Sequence, residues 1–498
     1  MSSAWLQAFQ MVFEPYNILV MLGASMFGLF VGAVPGLTAT MATALLVPVT
    51  FFMAPIPAIA TMVTATAMAI FSGDIPGCLL RMPGTPASAA YTDEAYAMTR
   101  KGMAEVALGA GLVFSAVGGL FGTAVLMLAA PTLAEFALKF SSFEYFWLVL
   151  MGLTCAVFIS SDRPLKGLVT LFLGLLIACV GLGNPAAYAR FTFGNTDLLG
   201  GIGLVSMMIG MFAVSEIIRY VVDTAPEALI VEAKVGNVFK GMWGLAVKYP
   251  VQILRGSVLG TIVGALPGAG ADIAAWMSYA MSKRFSKEPE KFGTGHVEGI
   301  VESGSANNSA LAGAWIPALV FGIPGDSITA IVIGVLYMKN MNPGPTLFTT
   351  NPQNIYAVFL LFIVANLIML PLGWLCIKVA KRILKVPRDV LMPVIMLFCV
   401  VGSFAINNTA FDIGVMLVAG LAAYVLEANG FPITPLILGV VLGGMLEENL
   451  VSSLIKSDGN PLAFFGRPIA ATLGVVTLLI WASPLLKRRR MGAGQPTM

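Results

Sequence analysis

Charge is scarce in this 498-residue chain: Asp, Glu, Lys and Arg make up 11% of it, against roughly 25% in soluble domains. That shortage argues against a soluble globular protein. A net charge of only +3 leaves no basic surface of the kind nucleic acid requires. Histidine occurs once, at His296, which removes any His-rich metal centre or proton relay. The five cysteines, Cys78, Cys155, Cys179, Cys376 and Cys399, are scattered and form no Cys-x-x-Cys pair. Neither a disulfide framework nor a structural zinc site is expected, and the thiols read as small packed hydrophobes. The first 80 residues hold no Lys or Arg. Lacking a basic start and a small-residue cleavage site, the first apolar segment is expected to stay in place.

What fills the chain instead is apolar sequence, 58% hydrophobic, with 53 glycines that suit close helix packing in lipid. Runs near the roughly 20 residues that span a bilayer recur from about residue 16 to about 486. The expected fold class is an all-α polytopic membrane protein with no sizeable soluble domain.

The basic residues mark topology. Lys378, Lys381, Arg382, Lys385 and Arg388 crowd one break, and Lys487, Arg488, Arg489 and Arg490 end the last apolar run; both sites are expected in the cytoplasm. Between them fit four spans, about 389–406, 410–428, 432–450 and 467–486. In the first half, spans at about 102–130, 143–160, 165–183 and 198–218 put Arg100 and Lys101, Arg163 and Lys166, and the basic stretch from Arg219 to Arg255 on that same side. The N-terminus is then outside and the C-terminus cytoplasmic. Trp147, Trp374 and Trp481, near span ends, read as interface anchors.

Two stretches repeat. Ile75-Pro76, then Pro83-Gly84-Thr85, is answered 241 residues later by Ile316-Pro317, then Pro324-Gly325-Asp326. Gly32-Ala33-Val34-Pro35-Gly36 matches Gly264-Ala265-Leu266-Pro267-Gly268 at an offset of 232. Each half therefore carries two Pro-Gly breaks in the same order. Pro removes a donor and Gly permits positive φ, so helices interrupt there, and irregular chain at membrane depth must be buried in protein or line a cavity. The span starting near 102 leaves the cytoplasm while its counterpart ending near 377 enters it, so the copies are inverted. The breaks, as broken helices or re-entrant hairpins, are expected to meet near the midplane, where transporters of this design bind substrate. The expected divisions are 1–222 for the first repeat, 223–249 for a cytoplasmic linker with an amphipathic helix, 250–465 for the second repeat, and 466–498 for a last helix and basic tail. The insert from Lys283 to Ser305 has no equal in the first copy and reads as a cytoplasmic loop feeding back into the site.

Candidate substrate-binding positions follow from the breaks: Pro35, Gly36, Thr38, Asp74, Arg81, Pro83, Gly84, Thr85, Ser88, Pro267, Gly268, Asn307, Asn308, Pro324 and Gly325. A helix starting near Thr85 or Ser88 can hold a carboxylate through its free N–H groups and dipole. Ionisable groups in apolar sequence are costly and usually functional. Asp74 and Arg81 either pair with each other, or Arg81 faces the cavity and grips a substrate carboxylate with two N–H bonds. The run Ser303-Gly304-Ser305-Ala306-Asn307-Asn308-Ser309 is rich enough in oxygen to replace the hydration shell of a sodium ion. Asp272, Ser305, Asn308, Asp326, Ser327 and Thr329 are the ion-coupling candidates. The competing reading is that these hydroxyls and amides glue helices together, and that Asp272 caps the helix it starts. His296 reads as an exposed loop residue. Gly268-Ala269-Gly270 lacks the Lys-Ser/Thr ending of a phosphate loop, and no His-Glu-x-x-His occurs, so no enzyme is expected.

Several motifs in order resemble one family. Gly32-Ala33-Val34-Pro35-Gly36-Leu37, the run Pro83 to Ala90, Arg190-Phe191-Thr192-Phe193-Gly194, Phe292-Gly293-Thr294-Gly295, Ala306-Asn307-Asn308, Gly322-Ile323-Pro324-Gly325 and Pro343-Gly344-Pro345 are similar to the TctA family, the large membrane subunit of tripartite tricarboxylate transporters. The resemblance runs over about 20–450. It implies a secondary transporter of the bacterial inner membrane that imports organic acids on a sodium or proton gradient. The partners it implies are a periplasmic solute-binding protein and a small four-span membrane subunit; a homo-oligomer is compatible with it, and no cofactor beyond the coupling ion, Na+ or H+, is implied. Where the family shows Gly-Gly-Ser before Ile, this chain has Ser72-Gly73-Asp74, and Asp93-Glu94-Ala95-Tyr96 and Ser303-Gly304 also depart from its pattern. Asp74 and Arg81 could thus define a substrate subgroup. The rival expectation is an ion-coupled organic-anion carrier that needs no binding protein.

Overall fold

The computed structural model describes residues 2–159, 164–183, 188–222, 236–384 and 386–492. Its helices, in chain order, are α1 Ser2–Val12, α2 Pro15–Ala33, α3 Ala39–Phe51, α4 Pro55–Ser72, α5 Asp74–Leu80, α6 Thr92–Arg100, α7 Ala104–Ala137, α8 Ser142–Ile159 and α9 Pro164–Ala178. After a two-residue antiparallel ribbon, Gly181–Leu182 with Ala189–Arg190, follow α10 Leu204–Ile209, α11 Ser215–Val222, α12 Met242–Lys248, α13 Pro250–Gly264, α14 Gly270–Phe285 and α15 Val297–Phe321. The chain ends with α16 Ser327–Met338, α17 Leu347–Thr350, α18 Pro352–Ile383, α19 Arg388–Asn407, α20 Ala410–Ala428, α21 Thr434–Lys456 and α22 Pro468–Gly492. Proline occupies the first turn of α2, α4, α13 and α18, where its missing N–H costs nothing.

Among the described residues, eight helices are long and apolar enough to cross a membrane: Pro15–Ala33, Pro55–Leu80, Ala104–Ala137, Leu204–Val222, Pro352–Ala380, Asp389–Asn407, Ala410–Ala428 and Thr434–Lys456. This is an all-α, multi-pass membrane protein. The expected span 410–428 coincides with α20, and 389–406 with α19. The span expected at 165–183 shortens to α9, because the chain turns into the ribbon at Gly181. Residues 204–222 pass through a π-helical turn at Gly210–Val214. Much of the expected linker, 223–235, lies outside the described residues, as do Arg163 and Lys385.

Two compact units emerge, residues 1–135 with 203–429, and residues 136–202 with 430–498. In the second, Trp147 is buried rather than set out as an anchor: its indole donates to the Phe464 carbonyl at 2.9 Å and packs with Phe464 and Ala470. The Trp481 indole donates to Thr154 at 2.7 Å. All four Pro-Gly breaks belong to the first unit.

Within that unit the two halves pack alike. Gly28 and Gly32 on α2 lie against Ala65 and Ala69 on α4; Gly260 and Gly264 on α13 lie against Ala306 and Ala310 on α15. At each of the four glycines a Cβ would stand 2.8 Å from the facing alanine Cα, so the helix backbones touch, as small residues permit in lipid. The glycines are related by 232 residues and the alanines by 241, the offsets of the sequence motifs.

Candidate functional site

Both kinds of break keep their geometry across the halves. Gly36 and Gly268, which end the first breaks, have φ of 83° and 84°. At the second breaks the backbone N–H of Arg81 bonds to the Gly77 carbonyl and that of Met82 to Pro76, while Gly322 bonds to Ala318 and Ile323 to Pro317. The helix thus ends in a left-handed residue in each half, Gly322 at φ 69° and Arg81 at φ 59°. Arginine tolerates that conformation worse than glycine. Its guanidinium turns outward to Asp93 at 2.9 Å, both side chains more than half exposed.

The turns that follow are capped by matched boxes. Thr85 N–H donates to the Ser88 hydroxyl at 3.1 Å, and Ser88 N–H to the Thr85 hydroxyl at 3.2 Å. At the equivalent positions Asp326 N–H donates to Thr329 Oγ1 at 2.9 Å and Thr329 N–H to Asp326 Oδ1 at 2.8 Å. Asp326 therefore starts α16 as a capping residue. Asp326→Ala should cost about 1 kcal/mol, the usual value of such a cap, whereas Asp326→Thr, which copies Thr85, should restore most of it. Thermal unfolding in detergent reads both; equal loss for Ala and Thr would show that the carboxylate does more than cap.

The expected free N–H groups near Ser88 are already used. The Ala87 N–H donates to Asp272 Oδ1 at 3.1 Å, so a carboxylate from the second half occupies the place foreseen for a substrate. Asp272 does not cap its own helix, since the N-cap residue of α14 is Ala269 and no side chain caps it. The Asp272 side chain is exposed to solvent. Arg81, Pro83 and Pro86 along the same break are exposed, as is Trp276 on α14, whose indole donates to the Pro86 carbonyl at 3.2 Å.

The other candidates sit deeper. Pro35, Gly84, Thr85, Ser88, Gly268, Pro324 and Gly325 are buried, while Gly36 is exposed and Thr38 and Pro267 are half-buried. Thr38 caps α3 by accepting from Met41 N–H at 3.1 Å. Gly84 packs against the Gly32 carbonyl and Gly325 against that of Gly264; the Gly268 N–H donates to the Gly325 carbonyl at 2.8 Å, closing the two breaks of the second half on each other. Asp74 bonds not to Arg81 but to Tyr91, whose hydroxyl donates to Oδ1 at 2.6 Å. Asn307 Nδ2 reaches that same hydroxyl at 3.4 Å. Asn308 Nδ2 reaches the carbonyl of Ala67 at 3.4 Å, its own counterpart at the 241-residue offset. Of the ion-coupling candidates, Ser305 spends its hydroxyl on Val301 within α15, Thr329 on Asp326, and Ser327 is half-buried at the start of α16. Among the described residues no group of three or more His, Cys, Asp or Glu could hold a metal ion.

The profile of the Tripartite tricarboxylate transporter TctA family matches residues 18–438. The chain belongs to the TctA family. It is thus a membrane transporter and not an enzyme. The "Uncharacterized 52.8 kDa protein in TAR-I ttuC' 3'region" of Agrobacterium vitis is 33% identical over 97% of this chain and 96% of its own length. A second protein of that organism, "Uncharacterized protein in TAR-II ttuC' 3'region", is 35% identical over 46% of this chain and 97% of its own length. No solved structure matches.

The TctA motifs outside the breaks have structural work. Phe292 to Gly295 forms a cradle for Glu94, whose buried carboxylate accepts from Gly295 N–H at 2.7 Å, His296 N–H at 2.8 Å, the Tyr279 hydroxyl at 2.8 Å and the Gly293 N–H. Residues 293–296 thus fold onto α6, whereas 297–305, expected as part of a loop, are the largely buried first turns of α15. His296 is not an exposed loop residue: its side chain is 11% exposed and its Nε2 lies 3.0 Å from Glu298. Arg190 forks onto Glu447 at 2.6 and 2.9 Å, and the Gly344 N–H ties Pro343-Gly344-Pro345 to Leu319 at 2.9 Å. Tyr91 and Trp276 escaped the sequence reading, and Glu94 entered it only within a motif that departs from the family pattern.

Proposed function

We propose that this TctA protein is the permease subunit of a binding-protein-dependent secondary transporter that imports an organic polycarboxylate across the bacterial inner membrane on a cation gradient. The observation that carries the reading is the Ala87–Asp272 contact. It joins the second break of one half to the first break of the other at the accessible lip of an otherwise buried cluster. A substrate carboxylate would take the Ala87 N–H as Asp272 leaves it, with Arg81 exposed nearby to attract the anion.

The inverted repeat is part of the proposal. Matched breaks, capping boxes and glycine contacts support two copies, and Asn308 against Ala67 supports a two-fold relation, because only residues near such an axis touch their own counterparts. With the basic breaks inside, the N-terminus is periplasmic and the C-terminus cytoplasmic. A small four-span subunit and a periplasmic binding protein are the partners, Na+ or H+ the coupling ion.

Uptake of labelled di- and tricarboxylates into proteoliposomes tests this. Transport should need the small subunit and the binding protein; full transport by this chain alone favours the self-sufficient carrier. Asp272→Ala should lower KM roughly ten- to a hundredfold, since substrate no longer displaces a charge-assisted hydrogen bond worth about 1.5–3 kcal/mol. An unchanged KM would show that Asp272 does not hold the substrate's place.

A further inference from the structure

Asp74, Tyr91 and Asn307 form a buried cluster with 6%, 2% and 0% of their surfaces exposed. The Tyr91 hydroxyl has one proton and gives it to Asp74 Oδ1 at 2.6 Å. It can therefore only accept from Asn307, which fixes the amide with Nδ2 toward the hydroxyl and Oδ1 away from it. Two acceptors remain without partners, Asp74 Oδ2 and Asn307 Oδ1. Each is one covalent fork away from the same hydroxyl.

Among the described residues no cation bonds to either acceptor; α6, packed on α5, brings Glu94, held by the Gly295 and His296 N–H groups, Asp93, paired with Arg81, and the exposed Arg100. Among the described residues Asp74 makes no ion pair, and Arg81, seven positions on, is turned to Asp93. On α5 itself the one titratable neighbour is Cys78, whose thiol lies 3.0 Å from the Thr99 hydroxyl. The turn Ser88–Tyr91 contributes Tyr91, and α15 contributes the neutral Asn307. From α7 comes Gly111, where a Cβ would stand 2.8 Å from Asp74 Oδ2, so the helix leaves room for the carboxyl and offers it no donor. A lone buried carboxylate with an unmatched oxygen is expensive.

One addition resolves both vacancies. A proton on Oδ2 would supply a single donor, and Asn307 Oδ1, whose amide already bonds the same hydroxyl, is an acceptor that lacks one. The amide, phenol and carboxylic acid then close a ring: Asn307 N–H to Tyr91, Tyr91 O–H to Asp74 Oδ1, Asp74 Oδ2–H to Asn307 Oδ1. We propose that Asp74 is a proton-binding site of this protein, closed into this ring when protonated and opened when charged. The ring ties α5 and the turn after the break of one half to α15 of the other, so its opening loosens contacts between the two halves. As the site of the coupling ion it rests on the cation-coupled reading above; as a proton site it does not.

Infrared difference spectra of the full chain in lipid, titrated with pH in sodium-free buffer, test the site without any substrate. A carboxylic-acid carbonyl band should grow as pH falls, vanish in Asp74→Asn, and shift to higher frequency in Tyr91→Phe, which removes the hydrogen bond to the acid. The same band surviving in Asp74→Asn, or being bleached by sodium at constant pH, overturns the proposal. In proteoliposomes with both partner subunits, Asp74→Asn should lose proton influx with substrate. Influx that persists overturns the coupling role, whereas a wild type that takes up no carboxylate at all overturns the transport reading and leaves the band to decide the site.

Discussion

Gly264→Val should all but eliminate folded protein, and Gly32→Val should do the same from the other half of the chain. At both positions the added Cβ would lie 2.8 Å from an alanine Cα, and the facing Ala310 or Ala69 carbonyl would lie closer still. The obstacle is helix backbone and not a side chain that can rotate away, so the helix pairs α13–α15 and α2–α4 would have to separate along their length. Overpacking a core with side chains alone costs about 1–3 kcal/mol. Prising two backbones apart costs more, a large share of the roughly 5–15 kcal/mol that holds a typical protein together. Gly23 supplies the control: it lies on α2 as well, but a Cβ there meets nothing within 4 Å, so Gly23→Val should leave the monodisperse peak on size exclusion in place. Loss from both tight sites with retention at Gly23 is the expected pattern. Normal recovery of Gly32→Val beside loss of Gly264→Val would show that the two halves are not packed equivalently.

The repeat was legible in the sequence because its causes are local. Pro and Gly restrict or release φ wherever they occur, so Pro35-Gly36 and Pro267-Gly268, or Pro83-Gly84 and Pro324-Gly325, announce a break without knowledge of what surrounds it. The spans were legible because bilayer thickness sets an apolar length, as with α19 and α20. Partnerships were not. Asp74 and Arg81 are seven residues apart and of opposite charge, yet the left-handed turn at Arg81 throws its side chain outward to Asp93, and Tyr91 takes Asp74. Asp326 reads as an ion ligand because an acid in apolar sequence is rare; its place as the cap of α16's first turn was not legible beside that. Its counterpart Thr85, with no charge, performs the same task. Glu94's partners carried no signal: beside the Tyr279 hydroxyl they are backbone N–H groups about 200 residues away, and backbone donors leave no mark on composition.

Glu302→Ala should be among the most damaging single changes outside the glycines. Arg255 on α13 grips Glu302 on α15 through a fork, Nε to Oε1 at 2.6 Å and Nη2 to Oε2 at 2.5 Å. The glutamate side chain is wholly buried and the arginine 22% exposed. The sequence offered Arg255 only as a marker of topology; the fold makes it one unit with Glu302. Taking away the acid leaves a largely buried guanidinium with two donors unmatched, a loss of about 3–5 kcal/mol for a broken buried pair. The attraction between the charges is largely spent on removing them from water, so erasing both should be far milder than erasing one. Arg255→Met with Glu302→Leu is therefore expected to unfold within a few degrees of the wild type, while Glu302→Ala alone falls well below it in the same thermal scan. Should the double variant prove as unstable as the single one, the pair holds α13 to α15 by its own attraction. Should Glu302→Ala prove as stable as the wild type, water reaches Arg255, and the seam between these two break-bearing helices is open at that end.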